Sequence, residues 1–363
     1  MSKLIGVLGA GQLGRMLALA GLPMGLGFRF FDSNPEATAG QLAPLVVGRF
    51  DDADALAGFA RGVDVVTYDW ENVPVTSVRE VARHARALPS ARALAAAQDR
   101  LTEKRLLARV GMRVAPHAAI DSAAQLLAAA DQIGLPGILK TRRLGYDGKG
   151  QVVIRRTAEL VPALASLGGR GLIYEGLVPF EREVSLVAAR SRRGETRFYP
   201  LTENRHRAGI LRESRAPLQS PPLQRAAERQ VGRLLEELRY VGVLCVEFFV
   251  HDGRLVANEF APRVHNSGHW TIEGAHTSQF ENHLRAILGW PLGETRAVGH
   301  ALMVNCIGSM PRPELTLTLP GLHHHDYHKA PREGRKVGHL NWVADSPVRR
   351  ESIARKLADY VES

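Results

Sequence analysis

The sequence is poor in cysteine: Cys245 and Cys306 are the only two among its 363 residues. Two cysteines exclude a fold held together by a framework of disulfide bonds. The sequence also lacks an apolar run of membrane-spanning length, and its first residues predict a strand rather than the hydrophobic region of a signal peptide. We therefore expect a protein of the cytoplasm that makes no contact with membranes.

Acidic residues are in the minority, since 47 Lys and Arg face 37 Asp and Glu and give a formal net charge of +10. A basic surface suits nucleic acid or steers an anionic small substrate. The arginines are scattered, however, and the sequence contains no basic patch interleaved with aromatic residues and no nucleic-acid motif. General composition explains the charge first and a phosphate-bearing substrate second, and we expect no nucleic-acid partner.

Length and hydrophobicity are ordinary for a globular protein. Hydrophobic residues make up 45% of the chain and charged residues 23%, which is the usual balance. A chain of this length can form two or three domains with cores of their own.

A glycine motif follows the first predicted strand, residues 3–9. Gly9, Gly11 and Gly14, with Asp32 after the second strand, have the spacing of a dinucleotide-binding domain, whose backbone N–H groups approach a phosphate. The motif alone is weak, because glycines also allow a helix to pack tightly on a strand. Strands and helices alternate through this region, which predicts a mostly parallel α/β domain.

A second glycine-rich loop follows Lys140, which ends another predicted strand. Three glycines in seven residues form a mobile hairpin whose N–H groups can fold over a polyphosphate, although the loop is not a Walker A sequence. An ordinary flexible hairpin explains the glycines alone, but the polar neighbours favour a phosphate lid. The loop consists of Gly145, Tyr146, Asp147, Gly148, Lys149, Gly150 and Gln151.

Two apolar segments, residues 241–250 and 255–257, flank an Asp-Gly turn at 252–253 and predict a hairpin. Glu247 and Glu259 lie on its two strands among apolar neighbours. A carboxylate in such surroundings is costly unless it is paired or binds a cation. Each glutamate taken singly is explained by an arginine partner, so the surrounding residues decide between the two explanations.

Those surrounding residues favour a metal and an anion. Asn258 adds an amide oxygen to the two carboxylates, and such hard oxygen ligands suit Mg²⁺, which completes its shell with water and substrate phosphates. Arg263, His265, Asn266 and His269 follow directly and are donors that could face an anion. The stretch as a whole therefore predicts a site for Mg²⁺ and a nucleotide.

This hairpin also resembles the metal-ligand signature of the ATP-grasp superfamily, a glutamate on one strand and Asn-Glu on a later one. Within that superfamily, the segment NEFAPRVHNSGHWT closely resembles the purine-biosynthesis family of 5-(carboxyamino)imidazole ribonucleotide synthetases. The matching segments run from Gly9 to His339 and so cover nearly the whole chain. Among them are DRLTEK at 99–104, GYDGKGQ at 145–151 and GRKVGH at 334–339.

The resemblance implies an α/β ATP-grasp fold in three parts. A Rossmann-like N-terminal domain would span residues 1–100 and bind no nicotinamide cofactor. The ATP-grasp domain would span residues 101–293, with a lid subdomain at about 112–180. A small β-rich C-terminal domain would span residues 294–363.

The implied reaction is the ATP-dependent carboxylation of 5-aminoimidazole ribonucleotide with bicarbonate. It gives N5-carboxyaminoimidazole ribonucleotide, ADP and phosphate through carboxyphosphate, in the biosynthesis of IMP. The cofactors would be ATP and two Mg²⁺ ions, with Mn²⁺ as a substitute, and the enzyme would be a homodimer. Two alternatives stay open: a formate-dependent glycinamide ribonucleotide ligase of the same superfamily, and a nicotinamide-dependent oxidoreductase based on the first glycine motif.

The resemblance also assigns roles to individual residues. It implies metal ligation by Glu247, Asn258 and Glu259. It places near the reacting amine and carboxylate Arg263, Tyr146, Asp147, His265 and Asn266, and which of these moves a proton stays open. It implies ATP contacts for Arg100, Lys140, Gly145, Tyr146, Asp147, Gly148, Lys149, Gly150, Gln151, Glu175, Gly176, Leu177, Val178, Glu183, His206, Asn258 and Glu259. It implies contacts with the ribonucleotide for Gln12, Leu13, Glu71, Arg263, His265, Asn266, Lys329 and Arg335.

Overall fold

The computed structural model describes residues 3–145 and 148–361. Its first sheet is parallel, with strand order β3-β2-β1-β4, and helices connect the strands. Ile5, Val7 and Phe30 are fully buried in it, as expected for strands covered on both faces. The elements are β1 (Leu4–Leu8), α1 (Gln12–Gly21), β2 (Gly27–Asp32), β3 (Leu45–Val47), α2 (Ala53–Ala60), β4 (Val65–Tyr68) and α3 (Val75–Val81).

Two helices lead out of this domain, α4 (Ala91–Ala97) and α5 (Arg100–Arg109). The sequence predicted a single helical stretch here, and the structure interrupts it at Asp99. The Asp99 carboxylate accepts hydrogen bonds from the N–H groups of Leu101 and Thr102 at 3.1 and 3.2 Å. An aspartate at this position caps the N-terminus of a new helix, so α5 starts in its own direction.

The next unit is a small antiparallel sheet with strand order β5-β8-β6-β7. Two helices pack on it, and a separate core includes Leu126, Leu139, Ile154 and Leu160. The unit therefore has a hydrophobic core of its own. Its elements are β5 (His117–Ile120), α6 (Ala123–Ile133), β6 (Gly137–Thr141), β7 (Gln151–Ile154), α7 (Leu160–Ser166) and β8 (Leu172–Gly176).

The third sheet has nine strands in the described residues, ordered β14-β13-β9-β11-β12-β15-β17-β16, with β10 on β9. Helices cover both faces, since Leu234 packs with Leu186 on one side and Leu284 with Val187 on the other. The strands are β9 (Arg182–Arg190), β10 (Thr196–Phe198), β11 (Thr202–Arg207), β12 (Ile210–Ala216), β13 (Gly242–His251), β14 (Arg254–Ala261), β15 (His300–Ile307), β16 (Leu322–Asp326) and β17 (Lys336–Ala344). The helices are α8 (Pro221–Glu237), α9 (Thr271–Gly274), α10 (Gln279–Leu288), α11 (Pro313–Thr316) and α12 (Pro347–Val361).

The C-terminal strands continue this sheet and do not form one of their own. Strand β15 pairs with β12 in antiparallel register, with Val304 opposite Glu213. From the sequence we predicted a small separate domain that begins at residue 294. The position of that domain boundary stays a prediction. Because the sheet runs across it, residues after 294 are held rigidly beside the central strands.

Among the described residues, every helix is too short or too polar to span a membrane.

Candidate active site

One cleft of about 1750 Å³ opens where the three parts of the chain meet. Its volume exceeds that of an ordinary small-molecule pocket, so it can take two substrates side by side. Most of the predicted site residues line it, namely Gln12, Leu13, Glu71, Arg100, Lys140, Gly145, Gly148, Lys149, Gln151, Glu183, His206, Glu247, Asn258, Glu259, Arg263, His265, Asn266, Lys329 and Arg335.

A few predicted residues are not brought to the cleft wall. The predicted nucleotide contacts Gly150, Glu175, Gly176, Leu177 and Val178 do not line it. Tyr146 and Asp147 are outside the described residues, so the roles predicted for them stay predictions. His269, considered as an anion donor, is fully buried and packs against the rings of Phe280 and His339, so the expectation that it faces an anion is wrong.

A β-bulge brings the predicted metal ligands together. Glu247 stands opposite Glu259, but the next residue of β13, Phe248, stands opposite Ala257. Asn258 is therefore an extra residue in β14. Consecutive side chains of a regular strand point to opposite faces, and a bulge re-aims them. This explains how Asn258 and Glu259, although adjacent, both line the cleft beside Glu247.

The two glutamates differ in their electrostatic surroundings. Burial and the neighbouring Glu259 carboxylate raise the pKa of Glu247 to about 7. Burial acts on Glu259 in the same direction, but Arg100, which forms an ion pair with it at 2.8 Å, lowers the pKa of Glu259 overall. The arginine partner considered from the sequence is thus present for Glu259. Glu247 lies beside an imidazole instead, with His265 Nε2 3.4 Å from its Oε1.

The donor set at the bulge fits a hard cation. Asn258 Oδ1 is buried and has no hydrogen-bond partner in the described residues. A buried acceptor of this kind requires a ligand or water. Together with the carboxylates of Glu247 and Glu259, it supplies the oxygen atoms that Mg²⁺ prefers.

Two buried lysines lie beside these carboxylates. Lys140 Nζ donates to Glu175 Oε2 at 3.0 Å, and Lys104 Nζ lies 3.3 Å from the same oxygen. Burial works to raise the pKa of Glu175, yet the two lysines hold it at about 2. The Glu175 carboxylate is therefore engaged by lysines, and the direct nucleotide contact predicted for it remains a prediction.

The large sheet also carries a carboxylate–imidazole pair and two aromatic rings at the cleft, beside the metal-ligand hairpin, since Glu183 of β9 stands opposite Phe249 of β13. Glu183 and His206 form a short side-chain contact. Burial lowers the pKa of His206, but the hydrogen bond to Glu183 raises it overall. Phe180 stacks on Phe249 with ring centroids 4.6 Å apart. The sequence reasoning missed this aromatic pair, whose members come from separate segments.

The other half of the cleft gathers cations from distant parts of the chain. Lys329 Nζ forms a short hydrogen bond with Gln12 Oε1, so the C-terminal segment touches the first residue of α1. Burial and the nearby Arg335 lower the pKa of Lys329 to about 8. Lys336 also lines the cleft, although no role was predicted for it from the sequence. Three cations thus converge where a phosphate was predicted.

Arg263 bridges the two halves through a short ion pair with Glu71. Burial works to raise the pKa of Glu71, but Arg263 lowers it overall. Burial and Arg263 together lower the pKa of His265 to about 3, so this imidazole is neutral. Asn266 exchanges two amide hydrogen bonds with Asn305 of β15, at 3.0 and 2.7 Å. Strand β15 therefore fixes the orientation of Asn266, a residue predicted to bind the substrate.

The glycine motif at residues 9–14 is occupied by a side chain of the protein itself. Gly11 N–H and Gly14 N–H donate to Asp69 Oδ2 at 2.7 and 3.1 Å. A Cβ at Gly9 would lie 1.8 Å from Asp69 Oδ1, which explains the glycine there. These are the N–H groups that a dinucleotide phosphate would need, so the nicotinamide interpretation of the motif is wrong. The sequence reasoning missed Asp69, although parallel β4 and β1 end at the same edge.

Asp69 should leave a signature in the pH dependence of stability. Burial raises the pKa of Asp69 from 3.8 to about 6, against the opposing effect of the two glycine N–H groups. The folded state therefore binds this proton more tightly than the unfolded state, and its contribution to stability falls as pH rises from about 4 to about 6. Asp69→Asn, which cannot ionise, should gain on wild type by about 2 kcal/mol between pH 4.5 and pH 7.5, which is part of about 3 kcal/mol for the whole titration.

Urea unfolding at pH 4.5 and pH 7.5 measures this difference in the free energy of unfolding. Asp54→Asn, at an exposed position on α2, controls for the loss of a surface carboxylate. Parallel pH profiles for wild type and Asp69→Asn would show that Asp69 titrates normally, and the account of this loop would be wrong.

Comparison with known proteins agrees with this geometry. Residues 1–98 match the ribonucleotide synthetase preATP-grasp domain, residues 105–280 the ATP-grasp domain, and residues 301–353 the phosphoribosylaminoimidazole carboxylase C-terminal domain. N5-carboxyaminoimidazole ribonucleotide synthase of Pseudomonas aeruginosa is 52% identical over 335 residues, covering 92% of this chain and 93% of the relative. The enzyme of the same name from Bacillus subtilis is 37% identical, covering 93% and 91%.

Solved structures give the same result. N5-carboxyaminoimidazole ribonucleotide synthetase from Thermus thermophilus superposes with a TM-score of 0.96 at 52% identity, covering 99% of both chains. The Aspergillus clavatus synthase in complex with ADP and 5-aminoimidazole ribonucleotide superposes with a TM-score of 0.93 at 29% identity, also covering 99% of both chains. The fold class predicted from the sequence is confirmed, and neither alternative activity agrees with these relatives. The chain belongs to the N5-carboxyaminoimidazole ribonucleotide synthase family of ATP-grasp ligases.

Proposed function

We propose that this protein carboxylates 5-aminoimidazole ribonucleotide with bicarbonate at the expense of ATP. The products are N5-carboxyaminoimidazole ribonucleotide, ADP and phosphate, in the biosynthesis of IMP. The observation that carries the proposal is the single cleft, which joins an acidic bulge at Glu247, Asn258 and Glu259 to a cationic cluster around Lys329. Such a cleft can hold a nucleoside triphosphate at one end and a ribonucleotide phosphate at the other.

Glu247, Glu259 and Asn258 would hold two Mg²⁺ ions, with Mn²⁺ as a substitute. Such ions would offset the negative charge of the ATP phosphates and the charge that develops at the γ-phosphoryl group. The orphaned Asn258 oxygen and the raised pKa of Glu247 support this assignment, because both features are relieved by a cation.

The remaining nucleotide contacts fall into three groups. Arg100 and Lys140 supply positive charge beside the phosphates, and Glu183 accepts hydrogen bonds from ribose hydroxyls beside His206. Phe180 and Phe249 form an apolar wall beside these two residues. The loop predicted to act as a lid then closes from above through Lys149 and Gln151.

The ribonucleotide lies in the other half of the cleft. Lys329, Arg335 and Gln12 bind its 5′-phosphate, since the guanidinium fork and ammonium group match a phosphate dianion. Glu71 accepts from the ribose, and Leu13 packs beside it. Both halves therefore hold their ligands by groups that the fold fixes in advance.

Arg263, His265 and Asn266 lie between the two halves and hold bicarbonate and the amine. Bicarbonate is a poor electrophile. Attack of its oxygen on the γ-phosphorus forms a phosphorus–oxygen bond and releases ADP, and the amine can then displace phosphate from the carbon of carboxyphosphate. Because carboxyphosphate is lost to water, the lid must close before phosphoryl transfer. Neutral His265, with its lowered pKa, can accept a hydrogen bond from the amine but is a weak base. The residue that takes the proton stays open, and Tyr146 and Asp147 remain predicted neighbours. The homodimer, the cytoplasmic location and the residue boundaries of the domains remain predictions.

Phosphate release in buffer freed of carbon dioxide tests the proposed reaction. We expect release only when 5-aminoimidazole ribonucleotide and bicarbonate are both added with Mg²⁺ and ATP. Glycinamide ribonucleotide and formate serve as the matched alternative pair, because the same cleft architecture could serve either acyl donor. Release with formate and glycinamide ribonucleotide alone would overturn the proposal.

A further inference from the structure

The strand that carries two of the proposed metal ligands, β14, is the outermost strand of its sheet. The backbone groups on the outer side of an edge strand have no strand partner. Here Val114 forms an isolated bridge with Ala257, and α5 supplies two side-chain partners. Phe260 N–H donates to Glu103 Oε1 at 2.6 Å, and Lys104 Nζ donates to the carbonyl oxygen of Asn258 at 2.9 Å.

Glu103 and Lys104 bind the backbone on either side of Glu259. Lys104 binds the carbonyl of the extra residue, Asn258, and Glu103 binds the N–H two residues later. Asn258 has no residue opposite it on β13, so the hydrogen bonds between the two strands do not fix it. Its orientation therefore depends on other contacts. Glu103 and Lys104 are each only 2% exposed, and water is therefore a poor substitute for either side chain.

The helix face that carries these residues also reaches a ligand side chain. Arg100, Glu103 and Lys104 have the spacing of neighbours on one side of a helix. Arg100 forms its ion pair with Glu259 at 2.8 Å. One face of α5 thus holds both the backbone of the bulge and a carboxylate projecting from it.

We infer that Glu103 and Lys104 are positioning residues that hold the bulge so that Asn258 and Glu259 face the cleft beside Glu247. Neither side chain lines the cleft, so both act through β14 and not on a ligand. The inference rests on the proposed metal site and goes beyond it, because it assigns the geometry of that site to a helix outside it.

Binding of Mn²⁺ in the presence of a non-hydrolysable ATP analogue tests this by calorimetry on the full chain. Glu103→Leu removes the acceptor of the Phe260 N–H, and Lys104→Met removes the donor to Asn258 while keeping the aliphatic stem. Outer contacts that orient ligands typically change metal affinity about 10- to 100-fold, and we expect the Kd for Mn²⁺ to rise in that range. Glu103→Gln keeps an oxygen acceptor and should restore wild-type affinity. Arg105→Ala, exposed on the same helix, is the control.

Amide hydrogen exchange without metal supplies the second readout. Positioning predicts faster exchange confined to residues 254–261 in Glu103→Leu and Lys104→Met. A general structural role predicts faster exchange across the large sheet with an unchanged Kd for Mn²⁺, and that result would overturn the inference. If Glu103→Leu does not fold, Lys104→Met decides alone.

The outcomes also separate this inference from the proposed function. Wild type that fails to bind Mn²⁺ with the ATP analogue would sink the metal site and the positioning role together. Wild type that binds Mn²⁺, with both variants binding it equally well, would leave the metal site standing and remove only the positioning role.

Discussion

Replacing Glu247 or Glu259 by glutamine is expected to abolish turnover of ATP and leave the fold intact. Each change keeps the shape of the side chain and removes one charge that faces the proposed metal. Stabilisation of the transferring phosphoryl group by a metal is worth several kcal/mol, so the loss of rate should be at least about a hundredfold. The bulge places both carboxylates in the same cleft, and therefore both variants should fail.

The stability of the same variants separates function from folding. Burial and the Glu259 carboxylate raise the pKa of Glu247, so we expect an ionised Glu247 to destabilise the fold when no cation is bound. Glu247→Gln should therefore melt no lower than wild type in the absence of metal. Circular dichroism and ATP turnover are measured together, with Glu237→Gln, a surface residue paired with Arg92 at 2.8 Å, as the control. Near-normal turnover in both active-site variants would remove the metal from this hairpin.

Replacing Arg335 by alanine is expected to weaken the use of 5-aminoimidazole ribonucleotide and leave ATP affinity nearly unchanged. Arg335 lies with Lys329 and Gln12 in the half of the cleft away from the acidic bulge. A charge-assisted hydrogen bond contributes on the order of 1.5–3 kcal/mol, so the KM for the ribonucleotide should rise roughly tenfold to a hundredfold. Arg312→Ala, an exposed arginine of the same C-terminal segment, is the matched control.

A substrate that lacks the 5′-phosphate completes the test. Removing the phosphate should cost wild type at least as much as the Arg335→Ala change, because Lys329 and Gln12 also bind the phosphate. On the substrate without phosphate, the Arg335→Ala change should cost little more, because the contact that it deletes is already absent. If the two losses simply add, Arg335 does not touch the phosphate. The C-terminal segment would then serve as a structural cap or an oligomer surface.

Local sequence patterns predicted the elements that carry the site but not the way it is assembled. The hairpin around Glu247 was predicted from residue types and spacing. The roles of Lys329 and Gln12 at the ribonucleotide were implied only by the family resemblance, and the contact between these two residues, 317 positions apart, was not predicted. Local pattern fixes which residues are polar within an apolar strand, whereas their convergence depends on how the units pack.

Three features escaped the sequence because they depend on partners far along the chain. The bulge at Asn258 is a mismatch between two strands, and neither strand shows it alone. The Asp69 carboxylate fills the glycine loop at Gly11 through strand adjacency, so a motif typical of phosphate binding holds an internal anion. Lys140 was correctly placed at a strand end, but its pairing with Glu175 depends on the antiparallel pairing of β6 with β8.

The most direct test of the central claim is the fate of bicarbonate oxygen. With [¹⁸O]bicarbonate, ATP, Mg²⁺ and 5-aminoimidazole ribonucleotide in a rapid-quench reaction, phosphorylation of bicarbonate places one of its oxygens between carbon and phosphorus. Displacement by the amine breaks the carbon–oxygen bond and leaves that oxygen on phosphate. We expect one ¹⁸O atom in each phosphate that is released as the carboxylated product forms. Unlabelled phosphate, released by attack of water on ATP, would contradict it.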